Sequence, residues 1–486
     1  MSGLHARSPL AASLVLLAAC TSVGPDYKRP EAAVPAAFEN SGPWQVAAPG
    51  DLIARGEWWA LFNDPVLDEL QRSSKQRNPT LAAYAARVDQ ARAAAGIADS
   101  FRYPEVGIGA QVGRYRASED RPDQPSKKPS NTEYTTGVYR VPVVVSYEVD
   151  VWGRVRRLNE AAVARADASA AEYQTVALTL ESEIASTYFR LRQTDEERRI
   201  LAQNIELQRR ARDLVARRKA GGLASELDLA RADTELALTE ASVEEAKRRR
   251  EDLRLALAFL VGRMPESFVV EEGAFRADPP AIPVDLPATL MERRPDIAEA
   301  EKRLVATNAE IGVAKAAYFP AIRLTGAIGF ESSELSELLD SSSMIWSLGA
   351  SLFQPVFNGG RTGFQVDRAK ATYDENVAIY QGRLLRAFRE VESALSALRT
   401  LDAQANLQAS ARQDAARAVK LAETRYRAGL VMVIEVIDAQ RTALRAEREA
   451  LGVKGAQLAS TVSLVKALGG GWEGRRTVQA AVADPR

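Results

Sequence analysis

Residues 426–445 read YRAGLVMVIEVIDAQRTALR, and how this stretch is read decides the fold. A long helical pattern leads into it and another leads away. Between the two, Ala428-Gly429-Leu430 interrupts the periodicity as a tight turn between antiparallel helices would. Glycine supports that reading because it reaches positive φ at a helix end without a Cβ clash. Past the turn, Ile434, Glu435 and Asp438 fall on one side of the returning helix, since residues four apart share a face. A second break, Ala220-Gly221-Gly222-Leu223, is followed by Glu226 and Asp228. Two Gly turns, each trailed by acids, predict two hairpin tips in an internally repeated chain.

With 486 residues and 46% apolar content the chain can bury a large core, and its net charge of zero gives no reason to expect nucleic acid as a partner. Cys20 and His5 are its only cysteine and histidine. That composition removes Cys/His zinc sites and Ser-His-Asp or Cys-His catalysis. No Ser-Lys or carboxylate-pair motif replaces them, so neither an enzyme nor a cofactor or metal site is expected.

His5 and Arg7 precede a short apolar run over residues 10–19, too short to cross a bilayer and shaped like the core of a secretory signal. Residues 1–19 therefore read as a signal peptide. Leu17-Ala18-Ala19-Cys20 resembles the bacterial lipobox, in which the cysteine becomes the lipidated first residue. A buried or stray cysteine behind an ordinary signal is the alternative. Thr21, rather than Asp, after the cysteine fits delivery to the outer membrane. Residues 20–77 then form an anchored segment, Pro- and Ala-rich and extended at first, ending in a short helix. Trp58 and Trp59 open that helix, either as a ligand platform or as its packing face.

Two copies of one unit follow, over residues 78–261 and 294–468, joined by a Pro- and Gly-rich linker over 262–293. Each opens with a helix bounded by prolines, and the two align without gaps: Pro79 with Pro295, Gly96 with Gly312, Pro104 with Pro320. After each helix the period changes from helical to strand-like. Val106, Ile108, Ala110 and Val112 form one apolar row, and Val143, Val145, Tyr147, Val149 and Val151 the next. In the second copy Ile322, Leu324, Gly326, Ile328 and Phe330 are followed by Trp346, Leu348, Ala350 and Leu352. Residues 116–133 between the first two strands are too polar to order themselves and read as an external loop.

Such rows suit a half-buried soluble sheet, and equally a membrane β-barrel with a polar lumen. Four strands cannot close a barrel, and lipid forbids an open edge, so in the second case several copies must build it. Each copy then enters a helix of about 65 residues, roughly 100 Å long. Val377, Leu384, Val391 and Leu398, and likewise Tyr173, Ala177, Leu180, Ile184 and Leu191, mark a heptad-like stripe that predicts left-handed coiling. The return helices end near Leu260 and Leu468, and residues 469–486 read as a tail.

Taken together these segments resemble the TolC-like outer membrane factors of tripartite efflux pumps, in particular the lipoprotein members that work with RND-type transporters. The likeness is carried by CTSVGPDYKRP from Cys20, by the Trp58-Trp59 element, and by NPTL at Asn78 and RPDI at Arg294. YEVDVWGR from Tyr147, QPVFNGG from Gln354 and RYRAGL from Arg425 complete it. The resemblance implies a mainly α homotrimer: a long antiparallel α-helical barrel with a twelve-stranded β-barrel in the outer membrane, four strands coming from each chain. It implies a passive duct for drugs or other small molecules, fed through a periplasmic adaptor by an inner-membrane RND transporter, with protein secretion or metal-ion efflux as the same-fold alternative.

By the same resemblance, Ala220, Gly221, Gly222 and Leu223, with Ala428, Gly429 and Leu430, meet the adaptor. Ile434, Glu435 and Asp438 line the narrowest point, and Tyr426 belongs to the network that holds the gate. Glu435 and Asp438 also read as ordinary solvated helix charges. Val431 departs from members that carry an Arg there, so the closed gate is expected to be held differently.

Overall fold

The computed structural model describes residues 22–31, 57–116, 135–276, 278–280, 282 and 293–470. The signal region with Cys20, most of the 116–133 loop and most of the tail lie outside the described residues. Contacts divide the chain into two compact units, each drawing on both repeats.

The first unit comprises Met1–Pro30, Asp89–Ala168 and Glu301–Ile379 and contains every strand among the described residues. In chain order these are β1 (Glu105–Ile108), β2 (Gln111–Arg116), β3 (Thr135–Glu148), β4 (Ala321–Ser332) and β5 (Met344–Phe353). They form one antiparallel sheet in the order β1-β3-β4-β5, with β2 also on β3. The single strand expected over 106–113 is thus cut in two. Its halves keep one continuous register against β3, and the break lies beside Pro142, which accepts from the Gly109 N–H (2.9 Å) but has no N–H to return. The sheet therefore has four lanes. β3 begins earlier than its apolar row suggested and ends at Glu148, leaving Val149 and Val151 outside it.

Register places the four apolar rows on one face. Val143 lies between Ile108 and Ile328, Ile328 pairs in turn with Trp346, and Leu324 lies between Tyr147 and Ala350. The other face carries Gln111 beside Arg140, Arg140 beside Glu331 and Ser146 beside Thr325. Many large residues of the apolar face are exposed, among them Ile108, Ile328, Trp346 and Leu348. Lanes β1/β2 and β5 each keep one unpaired edge.

Two proline-led helices also enter this unit: α2 (Pro79–Ser100) and α5 (Pro295–Ala316), 22 residues each. The extended segment at Gly24 to Arg29 runs along α5. Asn308 donates to the Pro25 carbonyl (2.8 Å), and Arg29 grips Glu301 through two hydrogen bonds of 2.7 and 2.8 Å. Gly312 is required there, because a Cβ would stand 2.7 Å from the Val23 oxygen.

The described residues of the second unit, Glu31–Val88, Ser169–Ala300 and Tyr380–Arg486, are mainly helical. It holds α1 (Pro65–Arg77), most of α3 (Arg154–Ala220) and α6 (Arg361–Arg427), and all of the return helices α4 (Glu226–Val261) and α7 (Val433–Ala467). Both α3 and α6 have 67 residues. Within this unit the heptad positions Leu180, Ile184, Leu191, Leu384, Val391 and Leu398 are buried as the stripe predicted.

Trp58 and Trp59 are fully buried in the largest apolar cluster, which settles them as packing residues. Trp58 donates to Glu181 (3.0 Å) and Lys75 lies over the Trp59 ring (4.4 Å). Burial raises the pKa of Glu181, while Lys75 and Trp58 oppose that rise. Each repeat also ties its first helix to the end of its return helix. Asn78 donates to the Leu260 carbonyl (2.7 Å), and the buried Arg294 to the Ala467 carbonyl (2.9 Å). Among the described residues no helix is long and apolar enough to cross a membrane.

Candidate functional site

The two Gly turns stand side by side in the second unit, and their backbones follow one pattern. At the first, Leu223 N–H bonds back to the Arg218 carbonyl (2.8 Å) and Gly222 to Lys219 (3.0 Å). At the second, Leu430 bonds to Arg425 (2.9 Å) and Gly429 to Tyr426 (3.0 Å). This is the motif that closes a helix with a left-handed residue, and Gly222 and Gly429 have φ of 71° and 76°. A Cβ at either would meet nothing within 4 Å, so the glycines are needed for their φ and not for space.

Beyond the turns the tips diverge. α4 is capped by Ser225, whose hydroxyl accepts from the Asp228 N–H (3.1 Å), while the Asp228 carboxylate accepts from the Ser225 N–H (3.0 Å). This reciprocal pair is a capping box. The Ser225 backbone and hydroxyl donors hold Asp228 below its ordinary pKa. Glu226 pairs with Lys219 across the turn. The acids of the first tip are thus engaged in its own hairpin.

In α7 the cap position is Met432, which offers no side-chain bond. Glu435 stands where Asp228 stands in the first tip, but with no hydroxyl to answer it. Glu435 and Asp438 are exposed on the chain, and Ile434 beside them is half-buried. All three lie in the first turns of α7.

Beneath the turns, Tyr426, Val215, Val433, Val436 and Ile437 form a small buried cluster, with Val431 packed against it. Arg218, from the end of α3, places its guanidinium over the Tyr426 ring (4.4 Å) and donates to the Arg427 carbonyl (3.0 Å). One residue of the first tip therefore holds the second by its ring and its backbone. Sequence reading missed Arg218. Its only local signal was a place in the basic run Arg217-Arg218-Lys219 at a helix end, which reads as dipole compensation.

Farther along the return helices, Arg441 of α7 pairs with Glu235 of α4 (2.5 Å). The buried Glu197 of α3 receives Arg249 of α4 (2.8 Å) and Arg448 of α7 (2.7 Å). These bridges tie three helices together behind the tips. Among the described residues no group of His, Cys, Asp and Glu is placed to hold a metal.

Known proteins resemble the chain over nearly all its length. The model of the family described as "Outer membrane efflux protein" matches residues 70–263 and 286–470. The pyoverdine export outer membrane protein OpmQ of Pseudomonas putida is 34% identical over 463 residues, 95% of this chain and 96% of the relative. The toluene efflux pump outer membrane protein TtgC, from another strain of Pseudomonas putida, is 31% identical over 485 residues, 98% of each. Among solved structures, the outer-membrane channel OprN has a TM-score of 0.85 at 30% identity, covering 92% of this chain and 99% of OprN. The Campylobacter jejuni CmeC outer membrane channel reaches 0.85 at 25%, covering 95% and 98%.

Proposed function

The chain belongs to the outer membrane efflux protein family, and on that premise we propose that it acts as a homotrimer, a passive exit duct from periplasm to exterior. An efflux channel of the outer membrane, it receives its cargo from an inner-membrane RND transporter through a periplasmic adaptor. It does no chemistry of its own. Relatives named for pyoverdine export and toluene efflux fit a cargo of small molecules. Cys20 carries the lipid, after removal of residues 1–19. The organisation follows the sequence reading: an anchored segment to 77, repeats over 78–261 and 294–468, a linker over 262–293, and a tail.

The observation that carries this reading is the sheet. Four lanes present their large apolar side chains on one face and end in two unpaired edges. In hydrocarbon an unpaired edge leaves backbone groups unsatisfied at several kcal/mol each, so such a sheet is stable there only when other copies close it. Three copies supply twelve lanes with a polar lumen.

In the duct, Ala220 to Leu223 and Ala428 to Leu430 are the surface offered to the adaptor. Glu435 and Asp438 from each copy ring the narrowest point beside Ile434, attracting cations and repelling one another. Arg218, gripping Tyr426 and the Arg427 carbonyl, holds the second tip closed in a chain whose position 431 is Val.

The test is the full-length chain purified in detergent, with native mass and planar-bilayer conductance measured together. A trimer that conducts, prefers cations and is blocked by a trivalent cation from the periplasmic side is expected. A monomer without conductance overturns the duct.

A further inference from the structure

The two repeats predict how one copy joins the next, because the chain contains a worked example of the junction. Where β3 leaves the sheet and β4 enters it, Trp152 stacks on Phe319 (ring centroids 4.8 Å apart, planes 24° apart), and its indole N–H donates to the Pro320 carbonyl (2.9 Å). β3 and β4 are hydrogen-bonded neighbours, so the residue just past the end of one lies beside the residue just before the start of the other.

Among the described residues the second pair of such positions makes no ring contact. In the gap-free alignment of the repeats Tyr103 matches Phe319 and Pro104 matches Pro320. Val356-Phe357 before Gly360-Arg361 matches Val151-Trp152 before Gly153-Arg154, with two residues inserted. Tyr103 precedes β1, one edge lane, and Phe357 follows β5, the other. Both rings stand out from the chain: Tyr103 is 65% exposed, Phe357 91%, and Val356 beside it 98%. Strand directions alternate, so β5 of one copy meets β1 of the next antiparallel, with the end of β5 beside the start of β1.

We propose that Phe357 of one copy packs on Tyr103 of the next, repeating between copies the contact that Trp152 and Phe319 make within one. The inference rests on the trimeric reading above and assigns the occupant of an exposed aromatic edge as a second copy of this chain. Phenylalanine has no N–H to give the Pro104 carbonyl, so the contact between copies lacks the hydrogen bond of the contact within one. Stacked rings remain favourable beyond their buried area, and the contact recurs three times per trimer. Placed at the foot of the sheet, the three contacts close the wall where strands give way to helices.

Two full-length variants, Tyr103→Cys and Phe357→Cys, are produced together and treated with a short bis-maleimide; an arm without added cysteine reads any contribution of Cys20. Covalent dimers are expected only in the mixed sample, and covalent trimers in the double variant. The in-chain pair Trp152→Cys with Phe319→Cys yields no such ladder. Native trimers without cross-linked species overturn the seal and leave the trimer intact. A monomeric unsubstituted chain overturns the trimer itself. Should the cysteine variants fail to assemble, dissociation temperature decides: Phe357→Trp, which restores the missing donor, raises it and Phe357→Ala lowers it. No shift in either variant overturns the proposal.

Discussion

At the first tip Ser225 and Asp228 bond each other and Glu226 is paired with Lys219, whereas at the second Glu435 and Asp438 stand exposed behind a methionine cap. The turns themselves are the same, down to the bonding of Leu223 and Leu430. Duplication therefore kept the backbone device and let the acids part company. Asp228 gives one carboxylate oxygen to its cap and Glu226 pairs with Lys219, so part of their capacity for a passing ion is already taken. At the second tip Glu435 has no such cap, while Asp438 lies near enough to Arg441 to join Glu235 in raising its pKa, and both follow the Tyr426 that Arg218 holds. The difference is that the first tip holds its own acids and, through Arg218, also grips the second.

If that contrast is right, substitutions at corresponding positions should have unlike effects. The largest is expected from Glu435→Ala with Asp438→Ala, which in the proposed trimer would remove six carboxylates from the aperture. Single-channel recordings should show weakened cation preference and loss of trivalent block with the trimer still assembled. Unchanged selectivity would place these acids away from the pore, and Asp228→Ala, at the position corresponding to Glu435, should leave current untouched.

Next in size is Arg218→Ala. A cation–π contact and a hydrogen bond from a charged donor together hold about 1.5–2 kcal/mol at this partly exposed site. Their loss should raise the open fraction roughly tenfold, visible as greater basal conductance. An unaltered basal current would mean that Arg218 ties the tips without gating them.

Ser225→Ala tests the first tip by stability alone. Losing the cap should cost about 1 kcal/mol, read as faster amide exchange at residues 226–229 with unchanged conductance. Altered selectivity in that variant would erase the distinction between the tips. A related effect follows pH. Because Asp228 is held below its ordinary value, its contribution is complete above the unfolded carboxylate pKa near 3.9. It is lost as pH falls through the lowered folded value. Protection against exchange at the first tip, relative to the intrinsic rate at each pH, should therefore hold at pH 5 and drop only under stronger acid, and a drop already at pH 5 would show the cap is not what protects it.

The smallest effect is expected from Met432→Ser, which gives Glu435 the hydroxyl that Asp228 enjoys. A few tenths of a kcal/mol and up to about 1 kcal/mol of local stability should be gained. If the box then forms, cation preference should fall slightly, because Glu435 is drawn toward the cap.

Sequence alone determined the approximate lengths of the helices, the Gly turns, and most of the residues that form apolar rows, though it carried the β3 row past Glu148 to Val149 and Val151. These are local properties, written by periods of 3.6 and 2 and by Gly and Pro punctuation, and they survive any packing. It also placed Ile434, Glu435 and Asp438 just past a turn, where the chain has them. Tertiary structure decided the rest. Only pairing register could put the four rows on one face and expose the break beside Pro142. Only packing could bring Arg218 onto the carbonyl of a residue 209 positions away. Nothing in the basic run at residues 217–219 distinguishes the arginine that grips from the one that is solvated, because that choice depends on which ring and which carbonyl the fold delivers to it.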